Sequence, residues 1–235
     1  MSSTDSKDRR VVFLDRDGVL NVDRYLTYRL GQLELVDGAV EGLSLLQALG
    51  FEFIIVTNQS AIGRGLYLEE DMHCFNEELC ARLEESGIRI TDVFFCPHDP
   101  VFGLGDYKRD CACRKPNPGM FFEAADKHDL ELSKCYHIGD KRVDVMAGFN
   151  AGCRTILVET GILDDEHKYP GVSPDIRVKD LPKAAQVIAG ELALERMRDR
   201  DVFVPPFDSS ICAKLLGDHR GRSTRPRVKS VRGAS

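Results

Sequence analysis

Short, nearly unbroken apolar runs alternate along this chain with longer segments of helical periodicity. The runs VVFLD (11–15), FEFIIVTN (51–58), DVFFC (92–96), CYHIGD (135–140) and CRTILVET (153–160) are rich in Val, Ile and Phe. They lack the in-and-out alternation of a half-exposed sheet, so they read as strands buried on both faces. The segments between them predict helices. Residues 38–49 follow Gly38, and residues 69–86 place Met72, Phe75, Leu79 and Leu83 at helical spacing. Residues 118–130 open with Pro118 in a first-turn position, and a further helix follows Asp144. DIRVKDLPKAAQVIAGELALERM predicts a last strand and helix. Repeated in this way, βα units give an α/β fold, a parallel sheet with helices on both faces.

One domain over residues 11–195 accounts for the pattern. Residues 1–10 are polar and predict a flexible N-terminus. Beyond about Arg196, Pro, Gly, Ser and Arg dominate, which predicts a flexible basic extension over 196–235. Charge sharpens this division. From Lys214 to Ser235 there are seven Lys/Arg against one Asp, so that stretch is +6 and the rest is −12, within a net −6. So acidic a body is a poor polyanion binder, so no nucleic-acid partner is expected, and it suits a site that gathers divalent cations. There is no secretory h-region and no run near the ~20 apolar residues of a membrane span, so a cytoplasmic location is expected; the protein is also expected to be a monomer. In that setting the eight cysteines read as metal ligands or buried thiols rather than disulfides.

In an open α/β sheet, ligands bind beyond the carboxyl ends of the strands. The polar residues of this chain fall there. Asp15 and Asp17 end the first run; in extended geometry their carboxylates share one side and Arg16 takes the other. Gly18 allows a sharp turn. The second run ends Thr57-Asn58-Gln59-Ser60, and the fourth ends Gly139-Asp140-Lys141, with Asp144 one turn later. Asp15, Asp17 and Asp140 are the hard oxygen ligands that Mg²⁺ takes, and a nearby Lys and Thr suit a phosphoryl group. Singly these pieces are bland: a DxD is often a cap, and TNQS is a polar loop. Their order at successive strand ends is not explained by capping. Separately, Cys96-x-His98 and Cys111-x-Cys113, with twelve residues between, supply four ligands for tetrahedral Zn²⁺. With no open position the zinc would be structural. It would anchor loop 96–113 and hold Arg114 and Lys115, which follow directly. Cys74, Cys80, Cys135, Cys153 and Cys212 lack such spacing and read as structural thiols.

The stretches DRDG (15–18), VTNQS (56–60), RKPNPG (114–119) and GDKRVD (139–144) resemble, in order, the four motifs of the haloacid dehalogenase superfamily. The resemblance implies a Rossmann-like core and an aspartyl-phosphate intermediate. It makes Asp15 the nucleophile and Asp17 the general acid and later base. Thr57 would hold the phosphoryl oxygens and Lys115 neutralise them, with Mg²⁺ on Asp15, Asp140 and the Asp17 backbone carbonyl. With the zinc loop added, the chain from about Val11 to Ile162 is similar to the family of D-glycero-D-manno-heptose 1,7-bisphosphate 7-phosphatases and histidinol-phosphate phosphatases. That likeness implies substrate contacts from Asn58, Gln59, Ser60, Arg114 and Lys141, and from Asp23 in the sugar-recognition loop. About 22 residues separate Gly18 from the helix near Val40, too few for a large cap domain. Two departures fall near the sugar rather than the chemistry. Asp23-Arg24-Tyr25-Leu26 stands where DHGY is expected, and NQSAIGRG replaces NQSGIARG. The expectation is a Mg²⁺-dependent phosphatase of a small sugar phosphate, foremost the heptose bisphosphate of surface-polysaccharide (lipopolysaccharide) synthesis. The alternatives are histidinol phosphate or another sugar phosphate and, in a different class, a non-catalytic zinc-stabilised binding module. The full set Asp15, Asp17, Lys115 and Asp140 weighs against the last.

Overall fold

The computed structural model describes residues 9–162 and 167–199. The two stretches expected to be flexible, 1–10 and 196–235, lie outside the described residues apart from 9–10 and the last turn of the final helix. Six strands form one sheet: β1 (Arg10–Leu14), β2 (Phe51–Asn58), β3 (Ile90–Cys96), β4 (Tyr136–Gly139), β5 (Arg154–Val158) and β6 (Ile176–Val178). Every pairing is parallel, in the order β3-β2-β1-β4-β5-β6. The helices are α1 (Ala39–Ala48), α2 (Ser60–Gly63), α3 (Glu69–Glu85), α4 (Gly119–His128), α5 (Arg142–Ala151) and α6 (Leu181–Asp199).

The unbroken apolar runs have a direct cause. Val12 and Leu14 of β1 join a core cluster with Leu43 of α1, Leu79 of α3 and Ile188 of α6. Their neighbours Val11 and Phe13 point the other way, into a cluster with Phe121 of α4 and Ala147 of α5. Successive residues of the central strand thus serve opposite faces, and both must be apolar. From β1 the chain steps outward through β2 to β3, then returns to β4 on the other side of β1. The loops after β1 and β4 diverge at that switch point and open a crevice at the carboxyl edge of the sheet.

Between β1 and α1 there is one 3-10 turn (Leu30–Gln32) and the single bridges Asp17↔Asn21 and Asn21↔Leu35. No cap domain is present among the described residues. None of their helices is long and apolar enough to cross a membrane. Two boundaries differ from expectation. α6 runs to Asp199, so the limit expected at 195 falls in its last turns. α5 begins at Arg142, which puts Asp144 inside its first turn, where its Oδ2 accepts the Lys141 backbone N–H at 3.1 Å. A carboxylate there satisfies a donor that the helix leaves open.

Candidate active site

The strand ends converge on Asp15. Its backbone N–H still donates to Ile138 O of β4 at 3.0 Å, but its carboxylate stands past the end of the strand. The Lys115 ammonium, 3% exposed, donates to Asp15 Oδ1 at 2.8 Å and to Val56 O at 2.9 Å, and pairs with Asp144 Oδ1 at 2.6 Å. Burial alone would pull Lys115 down; the charges of Asp144 and Asp15 outweigh it and hold the ammonium above its ordinary value. Asp140 completes the corner. Ligand oxygens of Asp15, Asp140 and Asp144 lie within 4.8 Å of one another, a group that could hold a metal ion. Among the described residues, neither oxygen of the buried Asp140 receives a hydrogen bond. Lys141 Nζ forms an ion pair with its Oδ2 at 2.9 Å. Burial, helped by Asp144 and Asp15 and opposed by Lys141, raises the Asp140 carboxyl well above the usual carboxylate range. Two glycines let the backbone close on it. A Cβ at Gly18 (φ +89°) would stand 2.5 Å from Asp140 Oδ2, and one at Gly161 2.0 Å. Beneath the corner, burial and then the Lys115 charge lower His137 to about 3, so its ring is neutral, with Nδ1 3.0 Å from Asp144 O.

Asp17 corrects the extended-strand expectation. β1 stops at Leu14, the chain bends at Arg16, and Gly18 opens a turn. Asp15 and Asp17 line the same cleft, but the Asp17 carboxylate is not in the acidic cluster. Arg16 does not point away from it either: Nη2 donates to Asp17 Oδ1 at 3.0 Å and to Oδ2 at 2.8 Å. Asn21 Nδ2 and Gln59 Nε2 supply one further donor to each oxygen, both at 2.9 Å. Gln59, expected at the substrate, is 4% exposed and spends its amide on Asp17, Thr57 and Tyr67. Asn58 clamps the Lys115 backbone from both sides, at 3.0 and 3.1 Å. Asp23 accepts the Tyr25 N–H at 2.7 Å and pairs with Lys141 at 3.2 Å.

A cleft of about 410 Å³ joins Asp15, Asp17, Asp23, Thr57, Ser60 and Lys115. An adjoining hollow, also about 410 Å³, shares Asn58, Lys115 and Lys141 with it and adds Arg114 and Lys168. Behind Arg114, the Cys96, His98, Cys111 and Cys113 ligand atoms also gather within 4.8 Å. Cys113 Sγ is 3.3 Å from Cys96 Sγ, 3.2 Å from Cys111 Sγ and 3.4 Å from His98 Nδ1, and none of these cysteines is in a disulfide. The Cys96–Cys113 hydrogen bond lowers Cys113 to about 5 against the effect of burial, with Cys111 and His98 adding to it. Arg114 Nη1 donates to His98 O at 2.9 Å, tying the cation to the cluster. Asp15, Asp17, Asp23, Thr57, Asn58, Gln59, Ser60, Arg114, Lys115 and Lys141, all expected at the site, therefore line one cleft and its adjoining hollow. Two partners were not assigned a role there, Asp144 and Arg16. A carboxylate one turn into a helix reads as a cap, and an arginine between two aspartates reads as facing away.

Residues 112–184 match the family described as HAD-hydrolase-like. A Pasteurella multocida protein named D-glycero-beta-D-manno-heptose-1,7-bisphosphate 7-phosphatase is 36% identical over 178 residues, 74% of this chain and 96% of that protein. One from Photorhabdus laumondii, named for the alpha anomer, is 39% identical over 153 residues, 65% of this chain and 84% of that protein. The crystal structure of D,D-heptose 1.7-bisphosphate phosphatase from B. bronchiseptica, complexed with magnesium and phosphate, is 28% identical with a TM-score of 0.68. It covers 77% of this chain and 99% of that one.

Proposed function

Because this chain belongs to the haloacid dehalogenase-like phosphatases that include those heptose enzymes, we propose that it removes the 7-phosphate of D-glycero-D-manno-heptose 1,7-bisphosphate through phosphorylated Asp15. The observation that carries this reading is the corner itself: Lys115 Nζ 2.8 Å from Asp15 Oδ1, beside an Asp140 whose two buried oxygens have no hydrogen bond. Three carboxylates whose oxygens gather within 4.8 Å, one of them with no hydrogen bond among the described residues, fit Mg²⁺. Asp15, Asp140 and the Asp17 backbone carbonyl would hold the ion, which when bound offsets the charge of the phosphoryl group. Asp144 is committed to Lys115 and to the Lys141 N–H, and it positions that lysine.

Asp15 attacks phosphorus with a carboxylate oxygen, while Lys115 and the Thr57 hydroxyl take up the charge of the phosphoryl oxygens. Asp17 gives a proton to the departing sugar oxygen, then takes one from the water that hydrolyses the acyl phosphate. Arg114 and Lys141 line the adjoining hollow, where their charges suit a second phosphate, with Asp23, Asn58, Gln59 and Ser60 shaping the cleft wall. Cytoplasmic synthesis of a nucleotide-heptose for surface polysaccharide is the setting that this activity fits.

Offered the bisphosphate in each anomer, a heptose monophosphate and histidinol phosphate, the purified protein is expected to show its highest kcat/KM on a bisphosphate. Preference for histidinol phosphate would replace the substrate and keep the chemistry. Arg114→Ala is expected to raise KM for the bisphosphate about tenfold to hundredfold, the scale of a ~1.5–3 kcal/mol charge-assisted hydrogen bond. A monophosphate should suffer less, and equal losses would remove the second-phosphate role.

The Cys96, His98, Cys111 and Cys113 set fits Zn²⁺ as a closed tetrahedral site, contributing on the order of 10 kcal/mol of ordering to its loop. Elemental analysis is expected to find zinc in the purified chain, and Cys113→Ser to lower zinc content and activity together. Brief EDTA treatment followed by Mg²⁺ should restore activity with zinc retained. A fully active preparation free of zinc would rule out the structural role.

A further inference from the structure

Arg16 is fully buried, and no step described so far uses it. Its Nη2 lies against both oxygens of Asp17, against Thr27 O at 2.8 Å and against Gln59 Oε1 at 3.2 Å. Nη1 donates to Asn76 Oδ1 at 3.2 Å, sixty residues away on α3, and the guanidinium sits 4.7 Å over the Phe75 ring. The Tyr67 hydroxyl donates to Gln59 Oε1 at 2.5 Å, which turns Gln59 Nε2 toward Asp17. Among the described residues, Nε of Arg16 has no hydrogen-bond partner. A buried charge with an unsatisfied donor is a poor arrangement for stability alone, because apolar packing of that volume is as favourable or more so.

We propose that Arg16, anchored by Asn76 and Phe75 of α3, is a positioning residue that fixes the Asp17 carboxylate for proton transfer to the leaving oxygen. This rests on the reading of Asp17 as the acid. As the Asp15 oxygen bonds to phosphorus and the P–O bond to the leaving group breaks, the proton moves from Asp17 to that leaving oxygen. Two donors already occupy each Asp17 oxygen, so protonation must displace one. The neutral amides of Asn21 and Gln59 yield more readily than the charge-assisted guanidinium bond, which stays as the hinge. A displacement of about 1 Å in such a group costs on the order of a hundredfold in rate.

The test compares leaving groups. Nitrophenolate departs without a proton, whereas a sugar alkoxide does not, and kcat/KM reports the step in which that bond breaks. For Arg16→Met, the variant-to-wild-type ratio of kcat/KM is expected to fall about tenfold to hundredfold further on the sugar phosphate than on p-nitrophenyl phosphate. The comparison of the two ratios is independent of how much of the variant folds. Arg16→Lys keeps charge and volume but not the fork, and is expected to show the same selectivity. Equal losses on both substrates in both variants would make Arg16 merely structural and overturn the proposal. Asp17→Asn separates the premise. If it shows the selective loss and the Arg16 variants do not, Arg16 fails alone; if Asp17→Asn is unselective, the acid assignment fails with it.

Discussion

Asp15→Asn is expected to leave less than about 1% of wild-type turnover, because an amide of the same shape cannot form the acyl phosphate, and losing a covalent step removes several powers of ten. The fold should persist. The amide oxygen can still accept from Lys115, and one charge fewer in the group of Asp15, Asp140 and Asp144 relieves repulsion. The check is phosphate release at saturating substrate beside a thermal melt of the same preparation. A well-folded variant retaining more than about 1% of turnover would show that another group attacks phosphorus.

Lys115→Met should affect both chemistry and stability. The ammonium is the shared partner of Asp15 at 2.8 Å and Asp144 at 2.6 Å, with all three side chains nearly buried. Removing one member of a buried pair leaves uncompensated charge and costs about 3–5 kcal/mol. Denaturant unfolding should therefore show a loss of that order, with Mg²⁺ recovering part of it by binding the unpaired carboxylates. Turnover should fall by about a thousandfold or more through kcat, since the lost donor acts on charge that develops on the phosphoryl oxygens. A variant as stable as wild type in the absence of Mg²⁺ would mean that the three carboxylates do not depend on this lysine for their charge balance.

The amino-acid sequence alone was enough to determine the alternation of strands and helices, because burial on both faces is written locally into runs such as FEFIIVTN. It also determined the site's edge. In a parallel sheet every carboxyl end lies on one side, so Asp15, Thr57 and Asp140 had to lie along one edge once their runs were strands, and the strand order that sets β2 and β4 beside β1 brought them together. The metal-ligand loop was equally legible, since Cys96, His98, Cys111 and Cys113 are a chemically distinctive set at short spacing. What the residues do to one another at that edge was settled only by the tertiary structure. The alternation rule that put Arg16 opposite Asp17 holds while the backbone stays extended, and the strand ends at Leu14. Past that point direction depends on turns and on distant partners: Asn76 for Arg16, Asp144 for Lys115, and the Lys115 backbone for Asn58. Those partners arrive from other helices and a distant loop, and no local periodicity encodes which donor reaches which acceptor.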